Sequence, residues 1–335
     1  MSAHLSYAEA LVVGAMQGVA ELFPVSSLGH SVLLPALVGG SWARDLNVST
    51  PESPYLAYVV GLHVATALAL VIFFWREWVR ILGGLFTSIR DRRVESPDQR
   101  LAWMIVIGTI PVGISGLLLE HLFRTVLGRP VPAATFLMIN GLVLYGAERL
   151  IRRSRQTPVA ARPAGAGVYR STAAATDARH VSQPDVDDPA AGGDGTDPDL
   201  ANIRSNQRIA SRSLLTTTLI ASAQILALLP GISRSGITMA AGLTRGLSHE
   251  DAARFSFLLA TPVILAAGVL KVPDLFGHLG TGIHGQVLAG SIASGVGAYL
   301  SVRFLTRWFT TRTLIPFAVY CLLAGAISII VLAVR

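Results

Sequence analysis

Apolar stretches separated by short polar segments dominate the chain. Six of them, 55–75, 101–121, 132–150, 254–270, 284–302 and 314–334, run about 17–25 residues, the length a helix needs to cross the ~30 Å hydrocarbon core. Two further apolar regions, 8–38 and 213–243, break in the middle. The breaks are Phe23-Pro24-Val25-Ser26-Ser27 and Leu229-Pro230-Gly231-Ile232-Ser233. Each arm is too short for a comfortable crossing, so both regions are expected to be re-entrant helix hairpins. The pattern predicts an all-α polytopic membrane protein with six transmembrane helices and two re-entrant hairpins.

Residues 151–212 separate two membrane repeats, 1–150 and 213–335. From about 155 onward this segment is rich in Ala, Gly, Pro, Asp, Arg and Ser and has no apolar period. Such composition cannot bury enough surface to offset its ordering entropy, so a disordered linker is expected. With the linker cytoplasmic, the stretches 76–100, 149–212, 243–254 and 303–313 lie inside and hold most of the 27 Lys and Arg residues. This satisfies the positive-inside bias and puts both termini outside. One hairpin plus three spans per half makes the second half inverted relative to the first. Gln17, Ser26 and Gly29 also fall on Gln224, Ser233 and Gly236 at one constant offset, as an inverted-topology repeat predicts.

Composition narrows the function classes. Only 14% of residues are charged and 52% are hydrophobic, against roughly 25% charged in soluble domains. The net charge of +7 follows from the arginine-rich loops, so no nucleic-acid partner is expected. A single cysteine excludes a disulfide scaffold and any multi-Cys metal site. Residues 1–43 lack Lys and Arg, so no cleavable secretory signal is expected.

Intramembrane ionisable groups are costly and point to function. Outside the linker, Glu21 alone among the acids lies deep in an apolar segment, and Arg234 is the one base in a broken region. Gln17 and Glu21 share a helical face, Pro24 ends the first arm, and Ser26 or Ser27 can cap the second. His30 follows three residues after Ser27. An acid, a hydroxyl and an imidazole at a helix start suit nucleophilic or acid–base chemistry, although a plain N-cap and a structural histidine fit the same residues. In the second break, Arg234 brings a planar fork suited to phosphate, and Ser233, Ser235 and Thr238 add hydroxyls. A helix cap with a pore-facing arginine is the blander alternative. His63 could face the same region, but its spacing favours an interhelical hydrogen bond.

The two broken segments resemble the signatures of the undecaprenyl-diphosphate phosphatase, or bacitracin-resistance, family. The first motif is matched by Gln17, Glu21 and Pro24-Val-Ser-Ser-Leu-Gly-His30, the second by Pro230-Gly-Ile-Ser-Arg-Ser-Gly-Ile-Thr238. The resemblance implies a bacterial inner-membrane enzyme whose site opens to the outer face. It would remove the terminal phosphate of a C55 polyprenyl diphosphate and so recycle a cell-wall lipid carrier. It implies Glu21 as essential carboxylate, Ser27 as nucleophile candidate, His30 as proton carrier, and Arg234 with Ser233 and Thr238 as diphosphate ligands. Gln17 and Ser26 would adjoin the substrate. A divalent cation, Mg²⁺, would neutralise the diphosphate, held in part by Glu21. Gln17 stands where many members carry Glu, which weakens a two-carboxylate metal site. The expected partners are the lipid substrate and the bilayer, with self-association left open. A polyprenyl-phosphate flippase on the same inverted repeat is the competing reading.

Overall fold

The structure, a computed structural model, describes residues 5–46, 54–122, 127–156, 198–277 and 282–334, and every regular element among them is helical. Helix α1 (Tyr7–Leu22) begins at a capping box: Ser6 Oγ accepts from the Glu9 N–H, and the Glu9 carboxylate accepts from the Ser6 N–H at 2.8 Å. It stops at Phe23, because Pro24 disfavours helix in the residue before it. Helix α2 (Ser27–Val38) restarts with Ser26 as its N-cap, and the six-residue α3 (Gly40–Asp45) follows.

The expected span at 55–75 is α4 (Pro54–Phe73), which turns by 86° into α5 (Trp75–Asp91). On α5 the apolar Trp75, Val79, Leu82, Phe86 and Ile89 form one exposed face at helical spacing. Such a helix fits the membrane surface better than its interior. Helices α6 (Pro97–Leu122), α7 (Pro130–Gln156), α11 (His249–Phe276), α12 (His284–Thr311) and α13 (Ile315–Val334) each contain a stretch long and apolar enough to span a bilayer. Helix α4, 20 residues without Asp, Glu, Lys or Arg, has the same length as α13. The second broken region is α9 (Leu214–Ser222), a 3₁₀ continuation Ala223–Leu228, and α10 (Arg234–Thr244).

The linker reading needs correction at both edges. Residues 151–156 continue α7, and 198–210 form α8 (Pro198–Ala210); residues 157–197 lie outside the described ones. Ser205, Asn206 and Ile209 of α8 are buried. Asp251 of α11 accepts from Ser205 Oγ at 2.5 Å and from Arg208 Nε and Nη2 at 2.8 and 2.7 Å. Buried Arg254 bonds Asn202 and Asn206 of α8 and pairs with Glu77 of α5 at 2.5 Å. Composition missed α8 because this polar helix is stabilised by partners distant in sequence.

Close packing places the two broken regions. Helix α1 lies along α12, where a Cβ on Gly14 would sit 2.3 Å from Gly290 O and one on Gly18 2.1 Å from Ser294 O. Only small residues permit that approach. Helix α7 packs on α13 and α10, while α4 bridges α11 and α12. Tyr58 of α4 is fully buried and donates to Ala10 O at 2.5 Å. The outward faces of α6, α12 and α13 expose Leu117, Leu118, Leu288, Ile292, Leu323, Ile327 and Ile330, a belt that lipid satisfies and water does not.

Candidate active site

The two breaks meet inside the molecule and are tied together by polar groups. Ser26 adopts a left-handed backbone (φ 69°), rare and strained for a residue with a Cβ. Its Oγ accepts from Gly29 N of its own helix and from Gly231 N of the other break, both at 3.2 Å. Gly231 sits at φ 110°, and a Cβ there would lie 2.4 Å from Ala133 O. Asn140 of α7 clamps both segments: its amide donates to Pro24 O at 3.0 Å, and its carbonyl oxygen accepts from Ser233 N at 3.0 Å. Ser235 Oγ donates to Phe23 O at 3.1 Å.

These ties aim the N-termini of α2 and α10 at one cavity of about 200 Å³, lined by Glu21, Ser26, Ser27, His63, Gln224, Ser233 and Arg234 among others. Two helix starts converging on one space favour an anion there. Glu21, 8% exposed, is the hub. Its Oε2 accepts from Ser27 Oγ and from Gln17 Nε2 at 2.9 Å, and its Oε1 accepts from Arg234 Nη2. Hydroxyl, carboxylate and guanidinium thus form one buried chain across the two breaks.

The expected residues do not all arrive at this cavity. Glu21, Ser26, Ser27, Ser233 and Arg234 line it, and Gln17 supports Glu21 from behind. His30 points elsewhere. Its Nδ1 bonds Ser26 O at 2.7 Å, its Nε2 bonds Tyr320 OH at 2.7 Å, and its ring stacks on that of Tyr320. Thr238 bonds back to Arg234 O within α10, and Ser235 serves the tie to Phe23.

Three further residues belong to the site. His63 donates from Nδ1 to Val59 O at 2.8 Å, which leaves Nε2 to accept from Gln17 Nε2 at 3.2 Å, 3.6 Å from Glu21 Oε2. This is an interhelical bond of the kind its spacing favours, but made to the central carboxylate's support. Gln224 carries a buried Oε1 without a partner among the described residues, and Asn140 is the clamp. A lone amide within the apolar run 132–150 was the available signal for Asn140.

Among the described residues no three His, Cys, Asp or Glu side chains gather in one place. An all-protein metal cage is therefore absent there. The oxygen donors of Glu21 and Gln224 do suit a hard cation shared with phosphate oxygens and water, the usual habit of Mg²⁺.

Fold and site together define a polytopic membrane protein with an internal carboxylate–hydroxyl–guanidinium centre fitted to a phosphorylated ligand. The family model described as "Bacitracin resistance protein BacA" matches residues 10–175 and 196–327, and the chain belongs to that family. It is 63% identical over 335 residues, all of both chains, to the protein named undecaprenyl-diphosphatase of Mycolicibacterium paratuberculosis. It is 62% identical over the same length to that of Mycobacterium avium. To undecaprenyl-diphosphatase 1 of Frankia casuarinae it is 53% identical, with 97% of this chain and 98% of the relative covered.

Proposed function

We propose that this chain is an integral-membrane phosphatase that hydrolyses undecaprenyl diphosphate to undecaprenyl phosphate and inorganic phosphate. The hydrogen bond from Ser27 Oγ to Glu21 Oε2, facing Arg234 across two converging helix N-termini, carries the reading. A carrier has no need of a hydroxyl poised on a buried carboxylate, and the names of the relatives agree with hydrolysis.

The incoming diphosphate competes with Glu21 for Arg234 and receives its fork together with the N–H groups at the starts of α2 and α10. Ser27 Oγ attacks the terminal phosphorus while Glu21 Oε2 takes its proton. The bond to the bridging oxygen breaks, and polyprenyl phosphate leaves with the electron pair. Water then attacks the phosphoserine phosphorus, the bond to Ser27 Oγ breaks, the proton held on Glu21 returns to that oxygen, and inorganic phosphate departs carrying the protons of the water. Gln17, braced by His63, keeps the carboxylate facing the hydroxyl. Arg234 and the helix ends stabilise charge at the phosphoryl oxygens, the main task in such transfers. His30, engaged by Tyr320, positions the strained Ser26 turn from behind. A Mg²⁺ ion arriving with the diphosphate would be held by Glu21 and Gln224 and would offset the substrate's charge.

In this reading the two hairpins are halves of an inverted repeat in the bacterial inner membrane. Both termini and the cavity mouth face outward, and 157–197 lies in the cytoplasm. The pairing of α1 with α12, mirrored by α9 with α6, supports the repeat, and the arginine distribution supports the orientation.

The test is phosphate release from detergent-solubilised undecaprenyl diphosphate by the purified protein, with and without Mg²⁺. Release is expected with Mg²⁺, and Glu21→Gln and Ser27→Ala should each slow it by about 10²–10⁴-fold. Tight lipid binding with no release by wild-type protein would overturn the phosphatase reading in favour of a carrier.

A further inference from the structure

A second concavity, of about 470 Å³, lies at the boundary end of α12, away from the carboxylate centre. Arg303 and Arg307 project one helical turn apart on the same face, and Arg312 follows just beyond the helix end. Trp308 stands between them. Its indole N–H donates to Thr313 O at 3.3 Å, and the Arg312 guanidinium lies 5.9 Å above its ring centre. None of the three guanidinium groups has a carboxylate or hydrogen-bond partner among the described residues. Favourable pairing with the helix dipole accounts for one cation at a helix end. It does not account for three around one hollow.

The other wall of the hollow is apolar. Phe304, 47% exposed, lies level with Arg303 and about one turn in from Arg307, and Leu300, 57% exposed, lies about two turns in, toward the middle of the span. Phe304 also stacks on Phe23, the residue that ends α1, with centroids 5.8 Å apart. Cationic donors at the membrane boundary, continuous with apolar wall toward the bilayer centre, complement an amphiphile with an anionic head and hydrocarbon tails. Free phosphate would use the arginines and leave Leu300 and Phe304 without a purpose. A zwitterionic head would place its own cation against them.

We propose that this groove binds the phosphate headgroup of an anionic phospholipid. Arg303, Arg307 and Arg312 hold the phosphodiester, Trp308 sits at the headgroup level, and Leu300 and Phe304 receive the upper acyl chain. The groove is independent of the phosphatase reading, since none of its residues lines the cavity beside Glu21.

The experiment uses the full chain, delipidated in neutral detergent, with thermal unfolding followed as lipid is added. Phosphatidylglycerol is expected to raise the Tm by several degrees at concentrations where phosphatidylcholine and inorganic phosphate do not. The triple variant R303Q/R307Q/R312Q should lose that response, its apparent affinity for phosphatidylglycerol falling about tenfold or more as charge-assisted bonds are removed. If the triple variant is not monodisperse, R303Q and R307Q alone should each weaken the response. Equal shifts with phosphatidylglycerol and phosphatidylcholine would overturn the proposal, as would inorganic phosphate reproducing the effect. A wild-type response in the arginine variants would overturn it too.

Discussion

Glu21 carries more of the site than any other side chain because each of its oxygens serves a different partner. Its neighbours divide the labour: Ser27 and Gln17 meet one oxygen, Arg234 the other. His63 enters through Gln17, so His63→Asn, which keeps a donor toward Val59 O but gives up Nε2, should lower kcat with little change in KM. Steady-state rates with a soluble short-chain diphosphate would show the split; unchanged kcat would remove His63 from the site. Glu21, Ser27 and Arg234 were legible from sequence because a charge or hydroxyl at a helix break in an apolar run is costly to keep unless a polar ligand or partner meets it there. His30 was legible as a residue but not as a contact. Spacing places it three residues from Ser27, whereas its direction is set by Tyr320, 290 residues away along the chain.

Among the elements, the breaks were readable and the surface helices were not. Proline and glycine in an apolar run announce where a helix stops, and the first arm of each broken region stops there. The bend after α4 has no such marker, and α8 takes its side-chain partners from α5 and α11 and packs on α6. That dependence has a measurable cost. Glu77→Leu leaves Arg254, 6% exposed, without its carboxylate and should destabilise the protein by about 3–5 kcal/mol. Adding Arg254→Met should recover part of the loss in a double-mutant cycle, since it also gives up the bonds to Asn202 and Asn206. Equal destabilisation by the single and double variants would mean that packing, not charge, holds α8. At the α1–α12 contact, Gly18→Leu should separate the two helices and lower the melting temperature, because its side chain would run into the backbone of Ser294 and Ala298.

At the scale of the whole molecule, the two stretches that match the family model are separated by residues 176–195. The described helices contact one another directly, α1 with α12 and α7 with α13 among them. Deleting 176–195 should therefore leave membrane insertion and phosphate release at wild-type levels, read by the same release assay. A tenfold loss with normal insertion would give the segment a working role. The all-helical, apolar character of the chain was visible in hydropathy. The meeting of the two breaks was not, because Asn140 and the Ser26–Gly231 bond act across more than a hundred residues.

The pairing of Arg234 with Glu21 across the two breaks has a consequence for the end of the catalytic cycle. A departing phosphate leaves the guanidinium to a carboxylate already in place, so the empty site is electrically satisfied and product must compete with an internal rival. Inorganic phosphate should therefore be a weak inhibitor of the wild-type enzyme. Glu21→Gln, though slow, should hold labelled phosphate more tightly than wild type in equilibrium binding. The same carboxylate that starts the reaction would then be what ejects its product.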